Sequence, residues 1–279
     1  LVDLKFFKKR TLFIMLEIEN IIFPSTPAEA LAVLQDVPGS VILGGCGYLR
    51  LGSRKIGTAI DLSKIGIDQI IETADEIQIG AMVSLRDLET NPLTAKFAGG
   101  VLARSVENIV GIQLRRCVTL GGSVAGRYPF SDPITALMAL DAQLLLQGQG
   151  RVPLEDYLTG KGGRDILVNI ILPKENVHAA FTSVRKSSTD YAVLNCAVSK
   201  NDKKYRVVVG SRPSRAVRVE SAERYVMENG LTSETAAQAG TLAANAVQFG
   251  DNPRGSAAYR KRICPVLVQR ALQEVIDAV

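Results

Sequence analysis

Two short glycine-rich segments carry the residue types best suited to binding chemistry. They are Leu43-Gly44-Gly45-Cys46-Gly47 and Thr119-Leu120-Gly121-Gly122-Ser123. The first follows the apolar run Val41-Ile42-Leu43, so a strand is expected to end in a turn that lacks β-carbons. Such a turn has two readings. Glycine supplies positive φ without steric cost, or its missing side chain lets several backbone N–H groups converge on one anion, such as a phosphate. The second segment adds the hydroxyls of Thr119 and Ser123, and two such turns in one domain can clamp a pyrophosphate from both sides. Neither segment matches Gly-x-Gly-x-x-Gly or the phosphate loop ending in Gly-Lys-Ser/Thr. A doubly wound nucleotide domain is therefore disfavoured, and a large cofactor lying across the molecule is expected.

Other reactive side chains are sparse. Asp132, within Pro129-Phe130-Ser131-Asp132-Pro133, suits an acceptor of ligand hydroxyls; it equally suits the N-cap of a helix opened by Pro133. The four cysteines (Cys46, Cys117, Cys196 and Cys264) form no Cys-x-x-Cys pair, and His178 is the single histidine. Zinc and four-cysteine iron–sulfur sites thus have no local ligand pattern. So few cysteines in so long a chain argue against a disulfide framework and fit a reducing cytoplasm. Cys46 has no base or second cysteine nearby in sequence to activate it, and His178 reads as structural.

The elements that would hold these groups follow from local signals. Thr26-Pro27-Ala28-Glu29 reads as an N-cap, first helical position and capping box, opening a helix through Leu34. Thr58–Leu62 reads as a strand, and Gln69–Glu72 with Ile77–Gly80 as a hairpin. Helical pattern is expected between Ser84 and Arg104, starting at Ser84 and Asn91-Pro92. An irregular stretch then leads to Arg115-Arg116 and the second glycine turn. Ile134–Leu140 is read as a helix, Gln143–Leu146 and Asp165–Leu172 as strands. Beyond Pro173, three antiparallel strands (Phe181–Arg185, Ala192–Ser199, Tyr205–Val209) precede three helices (Ala222–Glu228, Glu234–Asn245, Ala257–Val279). This is an α+β chain, with a boundary near Pro173–His178.

Composition narrows the class. The chain has 279 residues, 47% hydrophobic and 22% charged, as in ordinary soluble proteins. The net charge of +5 is spread over distant clusters, with 5% aromatics and no Trp. No nucleic-acid partner is expected, since such sites gather basic residues and stacking rings. The apolar run Thr11–Leu16 is too short for a signal peptide or membrane span. Residues 1–14 read as an N-terminal extension before Met15, and no membrane association is expected.

A resemblance sharpens this reading. Val41–Leu49 is similar to the first flavin loop in the FAD (medium) subunits of molybdenum hydroxylases, the xanthine dehydrogenase family, which carry Ala-Gly-Gly-His-Ser or Ala-Gly-Gly-Thr-Asp after a strand. Leu114–Ser123 resembles their Arg-Asn-x-x-Thr-Ile-Gly-Gly-Asn, Ser131-Asp132-Pro133 their Ser-Asp-Leu/Pro, and Ser256-Ala257-Ala258-Tyr259-Arg260 their Ser-Ala-x-Tyr-Arg. The matches run in order from about Glu17 to Val279. The resemblance implies a two-part FAD-binding domain of the vanillyl-alcohol-oxidase (PCMH) type over residues 15–175, and a C-terminal domain over 176–279 made of an antiparallel sheet with helices.

By the same resemblance, amides of Gly44, Gly45, Cys46 and Gly47 face the pyrophosphate and ribityl region, between Leu43 and the flanking Tyr48 and Leu49. Gly121 and Gly122 offer amides from the other side, while Thr119 and Ser123 donate hydroxyl protons. Asp132 accepts from ribose or ribityl hydroxyls, Leu167 packs on the isoalloxazine ring, and Arg185 and Lys186 lie near it as cations. Cys46, Gly47 and Ser123 replace polar residues of the family, and Thr182 stands where some members have Lys. Implied partners are an iron–sulfur subunit and a molybdopterin subunit, each holding its own cofactor, with NAD or another acceptor taking the electrons. Two other functions compete: an assembly subunit that has lost FAD, and a stand-alone flavin oxidase, for which no His or Tyr arrangement proposes a base.

Overall fold

The computed structural model describes residues 16–202 and 204–278. The expected extension, 1–14, lies outside the described residues. Strand β1 (Glu17–Ile22), helix α1 (Pro27–Asp36) and strands β2 (Val41–Leu43) and β3 (Lys55–Asp61) form a small parallel sheet in the order β1-β3-β2. Thr26 caps α1 by accepting from the Glu29 amide at 3.1 Å, and Glu29 reaches back to the Ser25 amide at 2.7 Å. β1 escaped the sequence reading because its residues are largely exposed and lack the apolar alternation of a half-buried strand.

A second, antiparallel sheet takes the order β4-β5-β8-β6-β7. Its first hairpin is β4 (Ile70–Glu72) and β5 (Glu76–Gly80). Six helices then intervene: α2 (Leu85–Thr90), α3 (Pro92–Lys96), α4 (Val101–Val106), α5 (Ile112–Cys117), α6 (Leu120–Ala125) and α7 (Asp132–Ala139). Ser84 and Asn91 cap α2 and α3 as the sequence suggested. The chain continues through β6 (Gln143–Leu146), β7 (Gly150–Pro153), α8 (Leu154–Leu158) and β8 (Leu167–Pro173), which returns to pair with β5. The stretch expected to be irregular before Arg115-Arg116 is partly helix α5, and Arg115 within it is buried against Glu89 at 2.8 Å.

The third sheet has the order β12-β11-β10-β9, from β9 (His178–Val184), β10 (Leu194–Lys200), β11 (Tyr205–Gly210) and β12 (Val217–Arg218). Helices α9 (Glu220–Asn229), α10 (Ser233–Ala246) and α11 (Ala257–Asp277) cover one face. On the other face Ala179, Phe181, Ala197 and Val208 join the core of the preceding sheet and its helices. Burial on both faces explains why β10 and β11 read as near-continuous apolar runs. Helix α7 lies at this junction with every residue buried. The observed α+β architecture thus joins a two-sheet first part to an antiparallel sheet layered with helices. Among the described residues no helix is long and apolar enough to cross a membrane.

Candidate functional site

β2 runs into a loop whose backbone forms one end of a cavity of about 600 Å3. Gly45 (φ +74°) and Cys46 (φ +55°) are consecutive left-handed residues, so the chain turns sharply after the strand. Side-chain space at Gly45 is closed, since a Cβ there would lie 1.9 Å from the Cys117 carbonyl oxygen. Among the described residues, none accepts a hydrogen bond from the amides of Gly45, Cys46, Gly47 or Tyr48. Cys46, Gly47, Tyr48 and Leu49 line the cavity together with Gly44, whereas Leu43 is buried behind it among Ile56 and Ala59. Successive unpaired amides around a left-handed turn form an anion-binding concavity.

The second segment differs from its expected form and role. It is not a turn but the first turn of helix α6, capped by Thr119. Its amides are already engaged: Leu120 donates to Val83 O at 2.9 Å, Gly121 to Ala81 O at 2.8 Å and Gly122 to Thr119 Oγ1 at 3.1 Å. Both hydroxyls are engaged as well, with Thr119 Oγ1 donating to Gly44 O at 3.1 Å and Ser123 Oγ to Thr119 O at 3.0 Å. Glycine is required here for close approach. A Cβ on Gly121 would stand 2.5 Å from Ala81 O, and one on Gly122 2.4 Å from Gly44 O. α6 therefore braces the first loop, and Gly121, Gly122 and Ser123 reach the cavity as wall rather than as donors. Thr119 stands behind that wall.

The opposite wall is aromatic and charged. Tyr48 packs on Tyr128 and Phe130 with ring centroids 4.8 and 4.9 Å away, and Tyr191 meets Phe130 at 4.8 Å. Burial, and then the hydrogen bond with Tyr191, raises the Tyr48 pKa; burial, with the neighbouring Cys46, raises that of Tyr128. Burial, and then Asp61, also pushes the Cys46 thiol up, which keeps it protonated. Three tyrosines thus gather at this wall, and the raised pKa values of Tyr48 and Tyr128 keep those two phenols protonated at neutral pH, so neither is a ready general base.

Asp132 is buried and pairs with Arg185 Nη2 at 2.7 Å, while its other oxygen accepts from Asn195 Nδ2 at 2.5 Å. It does not cap α7; Ser131 holds the N-cap position and Asp132 is the first helical residue. Each carboxylate oxygen thus has one protein donor, and Asp132 also lines the cavity. Arg185 and Leu167 border the cavity, the latter also packed in the core. Two enclosed wall atoms, Arg185 Nε and Ser131 Oγ, have no hydrogen-bond partner among the described residues. Lys186 is not brought to the cavity; it is exposed and donates to Pro253 O at 3.2 Å. Thr182 faces α11, donating to Leu267 O at 3.1 Å.

Comparison with known proteins agrees with this geometry. The FAD binding domain in molybdopterin dehydrogenase matches residues 16–175, and the CO dehydrogenase flavoprotein C-terminal domain matches 179–275. The chain is 26% identical to the nicotine 6-hydroxylase medium subunit of Paenarthrobacter nicotinovorans, over 90% of this chain and 95% of that one. It is likewise 26% identical to the carbon monoxide dehydrogenase medium chain of Hydrogenophaga pseudoflava, over 89% and 94%. Among solved structures, carbon monoxide dehydrogenase from Hydrogenophaga pseudoflava superposes with a TM-score of 0.85 at 25% identity, covering 94% of this chain and 98% of that one. With residues 16–175 matched as a flavin domain and 179–275 as the flavoprotein C-terminal domain, this chain belongs to the family of FAD-binding medium subunits of the molybdenum hydroxylases.

Proposed function

We propose that this chain binds one FAD in the cavity between its first glycine loop and the Arg185 wall, and serves as the flavin electron-transfer subunit of a molybdenum hydroxylase. The carrying observation is the row of unpaired amides at Gly45, Cys46, Gly47 and Tyr48, which suits a pyrophosphate. Cavity size, an aromatic and aliphatic lining, and the partnerless Arg185 Nε and Ser131 Oγ also fit a large planar cofactor with a polar edge. Because the cradle relies on main-chain donors, the family's polar side chains at Cys46 and Gly47 are dispensable for anion contact. Ser123, engaged with its own helix, contributes shape.

When bound, FAD supplies a carrier that takes electrons singly and releases them in pairs. The residues around it bind, orient and tune it, and none acts as an acid or base on substrate. Gly45 to Tyr48 would hold the phosphates, Leu167 and the Tyr48–Tyr128–Phe130–Tyr191 group would flank the ring, and Arg185, paired with Asp132, would border it. An iron–sulfur subunit would deliver the electrons and a molybdopterin subunit would oxidise the substrate. NAD or another carrier would be the final acceptor, and a reducing cytoplasm suits the free cysteines. Titration of the purified chain with FAD tests this reading: tight binding of one FAD per chain is expected, and failure to bind favours an assembly subunit that has lost its cofactor. Oxidation of an organic substrate by the isolated flavin-loaded chain would instead favour a stand-alone oxidase.

A further inference from the structure

The charged groups beside Leu167 and Tyr191 form a closed arrangement that the binding of phosphates does not use. Arg185, at the end of β9, has a side chain only 8% exposed, and Asp132 at the start of α7 only 2%. Their own bond and two outside partners hold the pair. Asp132 receives Arg185 Nη2 at 2.7 Å and Asn195 Nδ2 at 2.5 Å, and Asp190 O receives Arg185 Nη1 at 2.6 Å. Asn195, fully buried on β10, is itself held by Ser211 Oγ at 3.1 Å and by the Thr135 hydroxyl at 3.0 Å. Gly210 is needed beside them, since a Cβ there would stand 2.1 Å from Thr135 Oγ1 and 2.4 Å from Asn195 Oδ1. α7, β9, β10 and β11 thus converge on one carboxylate. The other charges on this side, Asp190 and Arg254, offset each other at 3.3 Å.

We infer that Asp132 is a positioning residue for Arg185, and that the pair sets a near-neutral wall beside the flavin rather than an uncompensated cation. This rests on the FAD reading above. The carboxylate fixes where the guanidinium sits and cancels most of its field, so the anionic reduced flavin gains little from Arg185 in the native protein. Removing only the negative partner exposes that field, because the Asp190 carbonyl still holds the guanidinium.

The test uses the full chain loaded with FAD, equilibrated against a redox dye, with FAD affinity measured in parallel. D132N is expected to shift the oxidised–reduced equilibrium about tenfold toward reduced flavin, which for a two-electron couple is about 30 mV. The double variant D132N/R185Q, neutral like the native pair, is expected to stay within threefold of wild type. The inference is overturned if D132N leaves the equilibrium within threefold of wild type or moves it toward oxidised flavin. A tenfold shift toward oxidised flavin in the double variant also overturns it, and decides alone if D132N does not fold. Weakened FAD binding by D132N at an unchanged equilibrium would mark Asp132 as a ligand of cofactor hydroxyls instead. Wild-type protein that binds no FAD refutes the flavin reading itself, and is seen before any variant is compared.

Discussion

Gly45→Ala places the sharpest strain on the proposed cradle. A side chain at φ +74° costs about 1 kcal/mol in the left-handed region. The larger effect is steric. The new Cβ would lie 1.9 Å from Cys117 O, whereas real contacts stay beyond 3.0 Å, so the loop or the end of α5 must move by about 1.1 Å. That movement strains the Thr119–Gly44 hydrogen bond at 3.1 Å, worth about 1 kcal/mol. The expected loss of stability is therefore about 2–3 kcal/mol. If two of the four amide contacts to a phosphate are misdirected at about 1.5 kcal/mol each, FAD affinity falls on the order of 100-fold. Gly39→Ala is the matched control: Gly39 has φ +76° but nothing within 4 Å of its added Cβ. It carries the same backbone cost and should keep native affinity. Fluorescence titration with FAD and thermal unfolding of both variants provide the two readouts. Native FAD affinity in Gly45→Ala, or equal losses in the two variants, would refute the reasoning.

Other sites give separate expectations. Gly122→Ala should favour helix α6 by about 1 kcal/mol, yet push its neighbour Gly44 away from a contact of 2.4 Å; weakened FAD binding is expected, measured by the same titration. Burial opposes ionisation of Glu89, but hydrogen bonds from Arg115 and Arg86 outweigh it and hold the carboxyl below its ordinary 4.5. That pair therefore contributes stability above pH 4.5 that is lost as pH falls through the lower folded value, and Glu89→Gln should flatten the acid limb of a pH–stability profile. Arg260 is fully buried and donates to Val193 O at 2.8 Å, Gly250 O at 2.9 Å and Asn252 Oδ1 at 2.7 Å. Arg260→Met should lower stability by about 3 kcal/mol through unsatisfied acceptors, visible in denaturant unfolding.

The first loop was legible in sequence because strand, glycines and spacing are local signals. The second segment was misread as a turn for a physical reason. Gly121-Gly122 has poor helix propensity, and only the close approach of Ala81 O and Gly44 O explains glycine inside a capped helix. Whether an amide is free or already bonded is likewise invisible until its acceptor, such as Val83 O or Ala81 O, is placed. The Asp132–Arg185–Asn195 contact joins residues far apart in the chain, as does the Tyr48–Tyr128–Phe130–Tyr191 group. No periodicity marks either one. Strands β10 and β11 were readable as short apolar runs, and helices α10 and α11, capped by Thr232 and Ser256, by signals that act within a few residues.

The most direct test of the central claim is the flavin stoichiometry of the purified chain after incubation with FAD and removal of unbound cofactor. One FAD per chain, retained in Gly39→Ala and lost in Gly45→Ala, is the expected result. A chain that retains no FAD, or retains it equally in all three proteins, would contradict a cradle built from the amides of the first loop.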